Sequence, residues 1–291
     1  MTEAISNIGL QFGRECAVTI SSSASDFGLE YTGLRTTFKV TRSRQKQPNT
    51  ATITLTNLAP SSRALISKPN NRLTLAVGYS GSRRILFKGD LARVTPKKSG
   101  ANYDLEIECA DGLKAFTTAR LDTSFKPGVD FGTVIDQVVT SLGVGKGQIL
   151  GINRSDVLKG GISLSGLVRN SLDKLTARQN LEWSIQDNNL QIIPRGGAKS
   201  GPAILLNSST GLIGNATKTM ILRADVLKPK DGIQQQSGIN VQCLLNPLIV
   251  PGCFVKVESR EVNGLHRVEK VEHHGDTRGG DWFSDVEAQA I

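Results

Sequence analysis

Histidine, tryptophan and methionine are scarce in this chain, with three His, two Trp and two Met in 291 residues and an aromatic share of 5%. So few imidazoles leave little material for a metal centre or a histidine-driven nucleophile. The aromatic shortage also denies a stacking surface for bases. Four cysteines, Cys16, Cys109, Cys243 and Cys253, stand far apart. None forms the two-residue pair of a zinc knuckle or a redox site, which leaves them as small core residues of a protein made in a reducing cytosol. No apolar run approaches the roughly 20 residues of a membrane span. Residues 1–10 lack a basic stretch leading into an apolar one, so the expectation is a soluble chain without a standard export signal.

What is present is length, glycine and positive charge. The 291 residues suit two or three domains of about 100 to 150 residues, large enough to bury a core without disulfides or metals. Lys and Arg total 35 against 26 Asp and Glu, a net charge of +9. That balance permits contact with nucleic acid, an anionic membrane or an acidic protein. The densest basic groups are Arg42, Arg44 and Lys46, then Arg83–Arg84 and Lys97–Lys98. Each lies beside an expected turn without interleaved aromatics, and so reads as a solvated hairpin tip.

The first hundred residues read as six short strands rich in Val, Ile and Thr, at 17–20, 37–41, 51–57, 73–79, 85–95 and 103–109. Turns are expected at 47–49, 69–71, 78–81 and 99–102, and one helical turn at 59–66 carries Leu65 and Ile66 inward behind Pro60. Six strands with one apolar face each favour a barrel or sandwich. From about residue 111 the period changes. Phe131, Val134, Ile135, Val138, Val139 and Leu142 recur at offsets of three and four between an Asp130 cap and a Gly143 stop. A second helix is expected over 165–179 with Leu167, Val168, Leu172 and Leu175 on one stripe. A hairpin follows, 181–185 and 190–193 around Asp187–Asn189, with Trp183 packing it onto the helix. Residues 195–202 form a Gly-rich break. Strands then return at 220–226, 239–245, 253–258, 265–272 and 281–291, with turns at 231–232, 246–247, 251–252, 263–264 and 279–280.

The fold expected is therefore mainly β with an α+β insert: β domains at 1–112 and 203–291 flank a helix-containing domain at 113–202. The sharpest chemical candidate is His273-His274-Gly275-Asp276 with His266 upstream. Neighbouring residues of a strand point to opposite faces, so His273 and His274 cannot share one ion. His266 and His274 would share a face but lie about 26 Å apart. The reading is a strand ending in a Gly-Asp turn, with no catalytic, cofactor or metal residue assigned. Leu142-Gly-Val-Gly-Lys-Gly147 mimics a phosphate loop, yet it follows a helix, and its glycines read as a helix stop.

Several segments together resemble the baseplate hub proteins of tailed bacteriophages, the tail protein D-like hubs of contractile tails. They are Asn207-Ser-Ser-Thr-Gly-Leu-Ile-Gly214, Leu244-Leu-Asn-Pro-Leu-Ile-Val-Pro-Gly252, and Leu265 to Thr277 closing on Asp281–Trp282. With them go Cys109-Ala-Asp-Gly-Leu113, the helix after Pro127–Gly128, and Leu172 to Trp183. The resemblance implies two tail-tube-like barrel domains per chain and a homotrimer presenting six of them. It further implies a structural, non-enzymatic virion protein, assembled in the host cytoplasm, that joins the tail tube to the central spike and lines the DNA channel. The implied partners are the tube or its adaptor, the spike, and wedge or tape measure proteins. As a departure from that pattern, no appended spike or lysozyme-like segment is expected, which leaves any puncturing or wall-degrading activity to a partner chain. Two other classes stay open, a basic nucleic-acid-binding protein and a His-based metal hydrolase.

Overall fold

The computed structural model describes residues 4–5, 11–22, 28–68, 71–199, 201–224 and 233–290. The first part runs β1 (Ala4–Ile5), β2 (Arg14–Ser22), β3 (Gly28–Thr32), β4 (Thr36–Ser43), β5 (Thr50–Thr56), α1 (Pro60–Ile66), β6 (Asn71–Tyr79), β7 (Arg84–Ser99) and β8 (Asn102–Ala110). Next come α2 (Leu113–Thr118), β9 (Arg120–Phe125), α3 (Phe131–Leu142), β10 (Gly145–Ile149), β11 (Ile162–Leu167), α4 (Val168–Arg178), β12 (Leu181–Gln186) and β13 (Asn189–Pro194). The last part is β14 (Ala203–Leu206), β15 (Leu212–Ala224), β16 (Ile233–Leu244), β17 (Phe254–Glu258), β18 (Asn263–Asp276) and β19 (Trp282–Ala290). Residues 69–70 of the turn expected at 69–71, the turn expected at 231–232, and the ends of the strands expected at 220–226 and 281–291 lie outside the described residues.

Strands that alternate apolar with polar bury one side, and three apolar cores result. Val18, Val40, Ile53, Leu75, Phe87 and Ile107 centre the first, with Trp282 joining it from the far end of the chain. Val134, Val138, Leu172, Leu175 and Trp183 belong to the second, between α3, α4 and the β12–β13 hairpin. Val241, Val255, Val257, Val268, Val271 and Val286 form the third.

Both strand-rich parts flank the long helices as expected, but among the described residues hydrogen bonding does not close either part on itself. Fourteen strands make one sheet, whose main path is β1-β14-β17-β18-β4-β5-β8-β7-β6-β2-β3, with β19, β16 and β15 branching from β18. The reason is the length of β18. Its first residues pair with β17, from Asn263↔Glu258 to Arg267↔Phe254, and its last seven pair with β4, from Lys270↔Ser43 to Asp276↔Thr37. One strand thus carries the sheet from one core to the other.

α3 follows its sequence signals: Asp130 accepts from the Thr133 amide at 2.8 Å, and Gly143 ends the helix at φ 73°. α4 starts later than its pattern suggests. Residues 162–167 pair with β9 as a strand, and Gly166 at φ 94° cannot continue a helix backward. In α1 only Ile66 points inward; Leu65 is 40% exposed. The glycines of the 142–147 segment have a second role, because β10 lies parallel against β13 and a Cβ at Gly147 would come within 2.9 Å of the Leu190 carbonyl. All four cysteines are free.

Candidate functional site

Arg42 and Arg44 extend the inward-facing series of β4, after Phe38 and Val40. Instead of tipping a solvated hairpin, both are buried, because the insert covers that end of the sheet. Arg42 donates to the Leu86 carbonyl at 3.0 Å, to Gln186 Oε1 at 3.2 Å and to Asp187 Oδ2 at 2.6 Å. Arg44 pairs with Glu182 of β12 and, at 3.2 Å, with Glu269 of β18. Arg267 also reaches Glu269, at 2.6 Å, and donates to the Gly196 carbonyl and to Gln289. Side chains from all three cores thereby meet in one buried polar junction. Lys46 stays half-exposed and pairs with Asp173 at 2.5 Å.

The β12–β13 turn makes a further contact between the insert and the first β part. Asp187 and Asn188 adopt φ 54° and 61°, the two positive values of a type I′ hairpin turn. This conformation aims both amides at Asp111, whose carboxylate accepts them at 2.6 and 2.7 Å. Asn49 clamps the same place, donating to the Ile185 carbonyl at 3.1 Å and to Gln186 Oε1 at 2.9 Å. Beside Asp111, Gly112 is left-handed, and a Cβ there would lie 2.9 Å from Ile185. These contacts account for the Asp111–Gly112 pair. Burial pushes the Asp111 carboxyl up to about 6, against the pull of the two amides and of Arg42.

The histidines do not converge. A bulge in β18 between Val268 and Lys270 shifts the alternation by one, so Val268 and Val271 both face the core. His266 consequently shares a face with His273, not with His274 as even spacing suggests. His266 is buried with Nδ1 3.1 Å from the Gly264 carbonyl, and His273 is buried with Nδ1 2.8 Å from Ser284 Oγ. His274 stacks on Phe283 with centroids 4.9 Å apart. Asp276 pairs with Arg35 at 2.8 Å. Among the described residues no three His, Cys, Asp or Glu gather into a metal-binding group.

Burial, followed by the charge of Arg42 and by His274, pushes the His273 imidazole down to about 3. An unfolded histidine protonates near 6.5, so the unfolded chain takes up this proton first as pH falls. The stability tied to neutral His273 is therefore complete above pH 6.5 and is lost progressively toward pH 3. Urea midpoints measured between pH 7 and pH 4 should decline less steeply in His273→Gln than in the parent chain. An NMR titration that finds His273 protonating near 6.5 would reject this assignment.

The outer side of the sheet is polar and continuous across the joint between the cores. Cross-strand rows such as Glu108–Thr52–Lys39–His274 run from β8 through β5 and β4 to β18. Arg35, Lys39, Lys88, Arg93, Lys97 and Lys270 are among the cations of this face along β7, β8, β5, β4, β18 and β19. Its carboxylates include Asp90, Asp104, Glu106, Glu108, Glu272, Asp276, Asp285 and Glu287, so charges of both signs are interspersed. Five of these cations are bonded to a carboxylate: Arg35 to Asp276, Lys39 and Lys270 to Glu272, Lys97 to Glu106, and Arg93 to Glu108. This face of a +9 chain thus carries interspersed charges, and five of its cations are already engaged.

No protein-family model matches the sequence, and none of the curated proteins matches it. Solved structures do match. The 43 kDa tail protein of prophage MuSo2 from Shewanella oneidensis superposes with a TM-score of 0.64 at 13% identity, covering 95% of this chain and 96% of that one. A tail protein from Neisseria meningitidis gives 0.66 at 10% identity, over 96% and 97%. An E. coli component of the type VI secretion system, described as structurally similar to the T4 bacteriophage tail proteins gp27 and gp5, gives 0.57 at 12% identity, over 88% and 73%. Over nearly its whole length, this chain has the fold of phage tail proteins.

Proposed function

We propose that the protein is a structural component of a phage tail baseplate, a hub that joins the tail tube to the central spike and performs no turnover of its own. The observation that carries this reading is the end-to-end match to two tail proteins, each covered over more than nine-tenths of its length. The proposed domains are 1–112, 113–202 and 203–291; three apolar cores support this division, although Leu245 and Trp282 of the last range pack into the first core. Two strand-rich parts per chain need only a threefold ring of heterologous contacts to present six, which would adapt a sixfold tube to a threefold spike. The proposed partners are two further copies of the chain, the tube or its adaptor, the spike, and wedge or tape measure proteins.

In this arrangement the polar face lines the channel. A wall whose cations are largely bonded to carboxylates offers little free positive charge to phosphate, so DNA would pass without being held. The same pairing leaves the nucleic-acid-binding alternative with less support than the +9 charge suggests. Reconstruction of an intact tail particle tests the reading. The expected result is three copies at the tail tip with Lys39 and Glu272 toward the lumen. Copies placed elsewhere in the particle, or a ring of another order, would refute it.

A further inference from the structure

A cavity of about 390 Å³ lies between the segment leading into β14 and the loop that joins β16 to β17, outside both the polar junction and the channel face. Pro202, Ile204, Leu248, Val250 and Phe254 supply apolar walls, and Lys199 enters beside them. Leu248 is 42% exposed although its loop is fixed. Asn246 Oδ1 accepts from the Leu248 amide at 3.0 Å, Ser284 Oγ accepts from the Asn246 amide at 3.2 Å, and the Gly252 amide reaches the Val268 carbonyl at 2.8 Å. Ile249 is fully buried beneath the loop, and the Lys199 amide is tied to the Gly252 carbonyl at 2.9 Å. A leucine displayed on a loop whose backbone is already fixed, beside an apolar hollow, spares the cost of ordering the loop when something covers it, and such sites serve as anchors for protein partners.

The amine decides what kind of partner fits. Lys199 is half-buried and makes no ion pair among the described residues. Burial and the nearby Arg42 hold its ammonium below the ordinary lysine value, with Asp187 and the Cys253 thiol as the opposing influences. A carboxylate delivered to it would relieve that penalty, while the hollow takes an apolar side chain.

We propose that this cavity docks a segment of a partner protein in which an apolar side chain is followed closely by a carboxylate: the side chain packs against Leu248, Val250 and Phe254, and the carboxylate pairs with Lys199. The proposal stands whether or not the chain is a baseplate hub. Two blocked peptides test it on the full chain by NMR titration, acetyl-Ala-Leu-Phe-Asp-Ala-amide and its counterpart with Asn in place of Asp. The Asp peptide should shift resonances around Leu248 saturably and bind about tenfold more tightly than the Asn peptide, the size expected for a charged hydrogen bond. Lys199→Gln should equalise the two, Lys199→Arg should keep the preference, and Leu248→Asp should weaken both, with thermal melts verifying that each variant is folded. Equal affinities in the parent chain, a preference that survives Lys199→Gln, or no saturable shift with either peptide would overturn the proposal. Octanoate binding more tightly than the Asp peptide would overturn it too, since the site would then serve a free carboxylate.

Discussion

Replacing Arg42 with alanine should lower the stability of the chain by about 3 kcal/mol, the range seen when one member of a buried, hydrogen-bonded charge pair is removed. Its guanidinium satisfies the Leu86 carbonyl, Gln186 and Asp187 at once. Alanine leaves three acceptors facing a void that water reaches poorly. Half-exposed Asp187 can turn to solvent, which keeps the expected loss near the lower end. Arg42→Met restores the volume but not the donors and should recover only part of it. Calorimetric or urea unfolding of the parent and both variants measures this. The insert should also loosen first, seen as faster amide exchange at Asp187 and Asn188 in Arg42→Ala. Unchanged unfolding midpoints would mean that the junction adds nothing to the association of the three cores.

Truncation of Leu172 to alanine should cost on the order of 2 to 5 kcal/mol, through lost transfer energy and the cavity left behind. Leu172 is fully buried at the centre of the insert's core, among Val138, Leu175 and Trp183. The indole above it is fixed by a 2.9 Å hydrogen bond to Asp173, so it cannot easily slide into the gap. Leu172→Met, which nearly conserves volume, should lose less than about 1.5 kcal/mol. Thermal unfolding of the pair decides, and a Leu172→Ala chain melting with the parent would show that this face of α4 is not a packed interface.

How far the sequence reveals this fold depends on the distance over which each signal acts. α3 is legible because its cap, stripe and stop all lie within fourteen residues, from Asp130 to Gly143. The turn at Asp187–Asn188 is legible for the same reason. The burial of Arg42 and Arg44 is not, since a run of Arg, Ser, Gln and Lys looks solvated wherever it falls. The only cue is that Phe38, Val40, Arg42 and Arg44 keep the two-residue period. The bulge in β18 has no marker in the residues around Glu269, yet it decides which histidines share a face. The union of β4 with β18 is the least visible feature, because register between strands so far apart leaves no local trace.

That union also fixes an order of events during synthesis. The edge of β4 from Thr37 to Ser43 waits for residues 270–276, which leave the ribosome roughly 10 to 50 s later at elongation rates of about 5 to 20 residues per second. During this interval β5, β8, β7, β6, β2 and β3 can assemble, but the growing end of their sheet stays open, with unpaired amides and carbonyls along β4. Contacts so remote in sequence also form slowly once the chain is free. Nascent chains are thus most vulnerable to wrong strand pairing at this one edge, and a chain cut short before Asn263 keeps the vulnerability permanently.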